Sequence, residues 1–165
     1  MAAKVRFSLL ASPVNLISLG FGAGLSPVWP GTVGSIPGFL LFAALEFASG
    51  PTRVSLYLAL FGVGAYCCQR TGRTLGEQDH RAIVWDEVVG TSLTLEAVPH
   101  AAHWWIAAFF LFRIFDVWKP WPVGLAHKAK ANGIMVMLDD VLAAGYAAAL
   151  LSVAQILLFS LAASK

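Results

Sequence analysis

Apolar segments separated by short polar stretches dominate the chain. Five such segments cover residues 36–49, 54–69, 88–99, 103–118 and 141–163. None of them keeps the strict alternation of apolar and polar residues that a half-buried strand would show. The pattern therefore predicts an all-α fold with about four to five short apolar helices. Because no repeat or low-complexity linker interrupts the chain, we expect one domain over residues 1–165.

The N-terminal stretch 7–19 is also apolar and follows two cations, Lys4 and Arg6. It resembles a signal peptide only superficially, since Pro13 and Asn15 interrupt it and no clean cleavage site follows. We expect instead an amphipathic helix that lies at a membrane surface.

The composition favours a membrane protein over a soluble helical domain. Apolar residues make up 58% of the chain and charged residues 12%, with a mean hydropathy of +0.73. In ordinary soluble domains apolar residues make up about 45–50% and charged residues about 25%. Only the segment 141–163 reaches the roughly 20 residues that a membrane span needs. The shorter segments are compatible with tilted spans, re-entrant helices or buried core helices, and the sequence leaves these alternatives open.

The cations are distributed as the positive-inside rule expects. If all five segments cross the membrane and the N-terminus is cytoplasmic, the cytoplasmic side holds Lys4, Arg6, Arg70, Arg73, Arg81, Arg113, Lys119, Lys128 and Lys130. The outer side then holds only Arg53 and Lys165. The net charge of +2 gives no sign of a nucleic-acid partner.

The acidic residues are concentrated in one part of the chain. Seven of the nine lie between residues 77 and 140, and these are Glu77, Asp79, Asp86, Glu87, Asp116, Asp139 and Asp140. The pair at 86–87 opens one apolar segment, Asp116 closes the next, and the pair at 139–140 opens the last. In the five-span topology all seven face the cytoplasm.

Carboxylates that converge from three segment ends are typical of a metal site. Acids beside a membrane segment are costly and usually serve a function or a partner. Oxygen ligands held on helices suit Mg²⁺, whose shell water and phosphate can complete. We predict a Mg²⁺ site formed by Asp86, Glu87, Asp116, Asp139 and Asp140. Helix capping is the alternative, because Asp near a helix N-terminus also interacts favourably with the helix dipole.

Cationic candidates for phosphate binding surround Asp116. Arg113, Asp116 and Lys119 are spaced i, i+3, i+6, so one helical face would carry a cation, an anion and a cation. Beside a metal site, the two cations would neutralise phosphate oxygens. A purely structural salt-bridge face explains the spacing equally well.

The glycine-rich stretch 20–35 provides further candidates. After Pro30, which suits a first helical position, backbone N–H groups and hydroxyls would be exposed at a helix start. The candidate phosphate-binding residues there are Gly31, Thr32, Gly34 and Ser35. A tight turn with close helix packing through small residues is the alternative.

The cysteines and histidines contribute little. Cys67 and Cys68 are adjacent in an apolar run and predict two buried residues rather than a disulfide or zinc site. Cys67 and Arg73 have the spacing of a cysteine phosphatase, but no His precedes the cysteine, so we take this as coincidence. His80 could be a proton donor, although a surface position is expected. The other histidines, at 100, 103 and 127, are expected in loops or interfaces.

Four blocks of the sequence resemble the phosphatidylglycerophosphatase A family. They are GFGAGLSP (20–27) with PGTVGS (30–35), DH (79–80) with IVWDEVVG (83–90), FRIFDVWKPWP (112–122), and GIMVMLDDVLAAG (133–145). The blocks have the order and spacing of that family and extend over most of residues 16–145. The resemblance implies a bacterial inner-membrane, Mg²⁺-dependent enzyme that removes the terminal phosphate of phosphatidylglycerophosphate, with its site on the cytoplasmic face.

The resemblance and the residue chemistry together suggest a mechanism. Asp86, Asp139 and Asp140 would be metal ligands, and Glu87 or Asp79 would be the base on an attacking water. The cations and the glycine-rich loop would bind the phosphate, while the acyl chains stay in the bilayer. A covalent aspartyl-phosphate is the rival chemistry. A non-enzymatic membrane carrier or assembly subunit is the competing class of function, and an oligomer is compatible with the sequence.

Overall fold

The chain is described here by a computed structural model over residues 7–121 and 132–164. Within these ranges all regular structure is helical, which confirms the all-α prediction. Two short 3₁₀ helices, Phe7–Ala11 and Gly20–Leu25, belong to the N-terminal part. The α-helices are α1 (Pro13–Ser18), α2 (Pro30–Leu45), α3 (Gly50–Leu75), α4 (Trp85–Leu95), α5 (Ala102–Trp118) and α6 (Gly133–Ala163).

The five apolar segments correspond to α2–α6, but the helix bounds differ from the segment bounds. The last helix begins eight residues before its apolar segment, at Gly133. The side chain of Asn132 caps it by accepting a hydrogen bond from the backbone N–H of Met135 at 3.1 Å. The acidic pair 139–140 therefore lies in the second turn of α6 and not at its start.

The N-terminal stretch is not one amphipathic helix. A 3₁₀ helix ends at Ala11, and α1 begins at Pro13 and extends only to Ser18. Proline suits a first helical position but cannot donate the backbone hydrogen bond that would continue the preceding helix. The cations Lys4 and Arg6 lie outside the described residues, as do His127, Lys128, Lys130, Lys165 and the end of the third sequence block at Pro122.

The central helix is α4, which packs between α2 and α6. Its residues Val88, Val89 and Leu95 are buried in the core. The approach of α2 to α4 depends on Gly38, where a Cβ atom would lie 2.7 Å from the Cβ of Thr91. This close packing fixes the position of α4 relative to α2, and with it the relative position of the two helix starts.

One helix among those described is long and apolar enough to cross a membrane, and it is α6. It has 31 residues, and only 22% of its most apolar window is buried by the rest of the protein. Exposed tryptophans lie where α2 begins and at or just after the end of α5, and these are Trp29, Trp118 and Trp121. The outward-facing part of α6 therefore has the chemistry of a surface that contacts lipid.

The crossing of α6 over α3 gives a test of this packing. At Gly133 a Cβ atom would overlap the carbonyl of Ala65 and lie 2.8 Å from the backbone nitrogen of Gln69. Since backbone cannot move aside as a side chain can, we expect Gly133→Ala to destabilise the protein by about 2 kcal/mol. Thermal unfolding in detergent measures this.

The matched control is Gly145→Ala on the same helix, where a Cβ atom meets nothing within 4 Å. Removing an unneeded helical glycine should stabilise the protein by about 0.5–1 kcal/mol. Equal unfolding temperatures for the two variants would contradict the close crossing of α3 and α6.

Candidate active site

A cavity of about 520 Å³ lies at the end of the bundle where α2 and α4 begin and α5 ends. Most of the residues around it are polar, which distinguishes it from apolar grooves elsewhere on the described surface, such as those beside Phe159, Tyr66 and Leu58. Its lining residues are Trp29, Pro30, Gly31, Thr32, Asp79, His80, Arg81, Ile83, Asp86, Glu87, Arg113, Asp116, Val117, Lys119 and Asp140. Cationic and anionic side chains thus face one cavity.

Three carboxylates meet in this cavity. Asp86 and Glu87 occupy the first turn of α4, and Asp140 reaches them from α6, so that one oxygen from each lies within 4.8 Å of the others. Both aspartates are nearly fully buried, at 6% and 3% exposure. Oε2 of Glu87 and Oδ2 of Asp140 accept no hydrogen bond from any described residue. These three residues could hold a metal ion.

The clustering of negative charge changes the protonation of Glu87. Burial, followed by the charge of Asp140, raises its pKa to about 8, and the charge of Asp116 acts in the same direction. A hydrogen bond with Asp86 and the charge of Arg113 lower the pKa, but they do not compensate. Without a compensating cation the cluster is therefore electrostatically unfavourable, as expected for ligands arranged for a metal.

The other two acids of the predicted metal set pair with cations instead. Asp116 forms an ion pair with Arg113 at 2.5 Å and lies 3.6 Å from Nζ of Lys119. Asp139 is buried and forms an ion pair with Lys119. Arg113 also lies 3.7 Å from Glu87, which connects the cations to the acidic cluster. Asp116 and Asp139 are therefore placed to hold the two cations in position beside the cavity.

Lys119 reaches this arrangement differently from the sequence prediction. It follows α5 as its C-cap, with a left-handed backbone at φ 49°, so it does not share a helical face with Arg113 and Asp116. The reversal of the chain at this residue still brings its ammonium group close to Asp116. The predicted proximity is confirmed, whereas the predicted helical geometry is wrong.

The glycine-rich loop contributes only part of its predicted set to the cavity. The helix α2 begins at Pro30, as expected, and Gly31 and Thr32 line the cavity. Ser35 is fully buried, and its hydroxyl donates to the carbonyl of Gly31 at 2.9 Å. Gly34 is also buried, with the Cβ of Val84 2.5 Å from where its own would lie. Ser35 and Gly34 thus lie behind the residues that face the cavity.

The segment after α3 brings Asp79 and His80 to the cavity. The expected surface position of His80 is wrong, because its side chain is buried at 7% exposure. The chain folds inward here, since Ile83 donates to the carbonyl of His80 and Val84 donates to that of Ser18. Sequence reasoning assigned no role at the site to Arg81, although it belongs to the same short polar segment as the Asp79–His80 pair.

The remaining candidates lie away from the cavity. Cys67 and Cys68 are buried in α3, as predicted, and neither lines the cavity. His100 pairs with Glu46 at 2.7 Å, and the ring of His103 lies 5.8 Å from that of Trp104. None of these residues therefore contributes to the polar cavity.

The chain is similar to known phosphatases over most of its length. The sequence pattern of the family described as phosphatidylglycerophosphatase A matches residues 16–155. Phosphatidylglycerophosphatase A of Haemophilus influenzae is 44% identical over 144 residues, which cover 86% of this chain and 88% of the relative. Phosphatidylglycerophosphatase A of Escherichia coli is 38% identical over 152 residues, which cover 90% and 87%.

A third relative bears a different substrate in its name. It is a Bacteroides thetaiotaomicron protein, provisionally named a phosphatidylinositol-3-phosphatase, that is 39% identical over 148 residues, covering 85% of this chain and 92% of the relative. No solved structure matches the chain. The region that matches the family pattern, residues 16–155, contains every residue that lines the cavity.

Proposed function

The chain belongs to the phosphatidylglycerophosphatase A family of lipid phosphomonoesterases, and we propose that it hydrolyses the terminal phosphate of phosphatidylglycerophosphate with the help of Mg²⁺ in the acidic cavity. The observation that carries this proposal is that three clustered carboxylates share one cavity with the cations Arg113 and Lys119. The products are phosphatidylglycerol and inorganic phosphate. Asp86, Glu87 and Asp140 would be the metal ligands.

The donor set fits Mg²⁺ on chemical grounds. All three groups are carboxylates, the hard oxygen ligands that this ion prefers, and two of their buried oxygens accept no hydrogen bond within the described chain. An ion in this cluster would supply positive charge that stabilises phosphoryl oxygens and activates water. It would also offset the repulsion that raises the pKa of Glu87.

The phosphate would bind beside the acidic cluster, between the two cations and the start of α2. Arg113 and Lys119 offer guanidinium and ammonium donors, held in place by Asp116 and Asp139. Thr32 and the unpaired backbone N–H groups at the start of α2 add neutral donors. Gly31 leaves room for this contact, because a Cβ atom there would meet Glu87 and Arg113. In this proposal Ser35 and Gly34 support the loop and do not touch phosphate.

The attacking water would be oriented by a carboxylate. Asp79 lines the cavity outside the three-carboxylate cluster, so it can accept a proton without giving up a metal ligand. Glu87 is the other candidate base. The water oxygen bonds to phosphorus as the bond to the glycerol oxygen breaks. The base takes a proton from the water, and the glycerol oxygen takes a proton from solvent and leaves as the alcohol. Single turnover in oxygen-18 water separates this route from an aspartyl-phosphate, because direct attack labels the released phosphate and not the enzyme.

We place the enzyme in the bacterial inner membrane with the cavity on the cytoplasmic face. The long apolar helix α6 would cross the bilayer. The exposed tryptophans Trp29 and Trp118 border the cavity end, and such side chains prefer the interface between lipid and water. A phosphate just outside the hydrocarbon would then be within reach of Arg113 and Lys119, while the acyl chains remain in the bilayer.

A membrane carrier remains the competing function, and the positions of two acids disfavour it. A carrier should have acids near the middle of its membrane segments. Glu46 and Glu96, the two acids within the apolar segments 36–49 and 88–99, lie at the C-caps of α2 and α4. They pair there with His100 and Arg53, at 2.7 and 2.8 Å.

The proposal is tested by phosphate release from phosphatidylglycerophosphate in detergent micelles, with and without Mg²⁺. Phosphatidic acid and phosphatidylinositol 3-phosphate serve as comparison substrates. We expect release that requires Mg²⁺ and is fastest with phosphatidylglycerophosphate. Metal-independent release would rule out the carboxylate mechanism, a preference for the inositol lipid would change the substrate, and no release from folded protein would favour the carrier.

A further inference from the structure

The side chain of His80 is buried at the cavity, yet the mechanism above gives it no role. It lies at 7% exposure in the segment that connects α3 to α4, between Asp79 and Arg81. A buried imidazole that lines a polar cavity needs partners for both of its ring nitrogens. Within the described residues the ring makes one hydrogen bond, and it uses Nδ1.

The partner of Nδ1 is a backbone donor. The N–H of Ala82 donates to Nδ1 of His80 at 3.2 Å. Nδ1 is therefore the acceptor, and a neutral ring must carry its proton on Nε2. The same hydrogen bond fixes the rotation of the ring, because it ties the imidazole to the backbone two residues further along.

The other ring nitrogen, Nε2, is thus oriented as a hydrogen-bond donor. Among the described residues, the bond with Ala82 is the hydrogen bond that the ring of His80 makes, and the residue itself lines the cavity that contains Arg113 and Lys119. We propose that His80 is a further catalytic residue that donates a hydrogen bond from Nε2–H to an oxygen of the substrate phosphate. This inference rests on the proposed function of the same cavity.

The role differs from that of a proton donor. His80 keeps its Nε2 proton throughout and stabilises negative charge on the phosphate oxygens as the bond to the glycerol oxygen breaks. A preoriented donor aimed at developing charge typically contributes about 100-fold or more to kcat. A ring whose orientation is fixed by the backbone needs no reorganisation during the reaction.

Two substitutions separate contact with substrate from a purely structural role. In His80→Asn the side-chain oxygen can still accept a hydrogen bond from the N–H of Ala82, but no side-chain atom extends to the position of Nε2. In His80→Gln the amide nitrogen reaches that position. If His80 touches the phosphate, kcat should fall about 100-fold in H80N and less than about tenfold in H80Q. His103→Asn, an exposed histidine at the start of α5, is the control and should be unaffected.

The opposite ranking would overturn the proposal. If His80 only supports the loop, H80N should retain wild-type kcat and H80Q should be the less active and less stable variant. Wild-type kcat in both variants would also contradict the proposed contact between His80 and the phosphate. Unfolding temperatures and Mg²⁺ binding of both variants are measured alongside, so that a loss of folding is recognised as such.

A spectroscopic measurement tests the contact without turnover. In protein with ¹⁵N-labelled histidine, assigned through the H80Q spectrum, we expect Nε2 to be protonated and Nδ1 not. Inorganic phosphate added with Mg²⁺ should shift the Nε2 signal of His80. No shift at saturating phosphate would contradict the contact even if the enzyme is active. A shift in a protein that does not hydrolyse phosphatidylglycerophosphate would refute the proposed function and leave the His80 contact intact.

Discussion

Replacing Asp140 by Asn is expected to abolish Mg²⁺-dependent phosphatase activity. Asp140 supplies the only α6 carboxylate of the three-acid cluster, and its Oδ2 accepts no hydrogen bond from the described residues. An amide keeps the shape of the side chain but loses the charge that would bind the ion. Since a metal contributes several kcal/mol to the transition state, kcat should fall by at least about 1,000-fold. Steady-state phosphate release measures this.

The neighbouring acid provides a matched control. Asp139 is equally buried but pairs with Lys119 and lies outside the cluster. Asp139→Asn should lower kcat by about tenfold, the effect of weakening one charged hydrogen bond. Mg²⁺ should raise the unfolding temperature of wild type and of D139N by mass action, but not that of D140N. Equal losses in the two variants, with Mg²⁺ binding retained in both, would contradict the assignment of the cluster.

Metal-free D140N should also be at least as stable as metal-free wild type. In the absence of a cation the three carboxylates repel one another, and burial makes that repulsion costly. A neutral amide relieves it. At a site arranged for a ligand, a substitution that removes function is expected to preserve or increase stability.

Gly31→Ala is the second substitution with a large expected effect. A Cβ atom at Gly31 would lie 3.0 Å from Nη2 of Arg113 and would collide with Oε1 of Glu87. Either the start of α2 or these two side chains must shift. Misplacement of reacting groups by about 1 Å can cost about 100-fold in rate, so we expect kcat/KM to fall by that order. Kinetics with phosphatidylglycerophosphate measure the loss.

Gly62→Ala in α3 is the control for this substitution. A Cβ atom there meets nothing within 4 Å, and Gly62 lies away from the polar cavity. It should leave kcat/KM unchanged and raise the unfolding temperature slightly. If G31A is as active as G62A, the start of α2 does not approach the phosphate as proposed.

The helices themselves could be predicted from the sequence because they depend on local pattern. Five apolar segments without strand-like alternation became five helices, and Pro30 began one of them. The bounds were less accurate where a cap decided them, as at Asn132, which lies nine residues before the apolar segment begins at residue 141. The N-terminal stretch broke at Pro13, where the backbone chemistry of one residue outweighed the apolar pattern.

The sequence alone determined which residues would gather at one end of the molecule. Acids at the starts or ends of successive segments were expected to share one side of a bundle, so the sequence predicted that five of them gather there, namely Asp86, Glu87, Asp116, Asp139 and Asp140. The family blocks fixed the kind of chemistry, and the comparisons agree with them. These conclusions need only chain order and segment length.

Only the tertiary structure decided what each residue does there. Adjacent residues on a helix point about 100° apart, so packing, and not spacing, sends Asp140 into the cluster and Asp139 to Lys119. Packing likewise turned Ser35 toward Gly31 and buried His80, whose polar character had suggested a surface position. A sequence specifies such orientations only through the contacts of the whole fold, because each depends on neighbours that are distant in the chain.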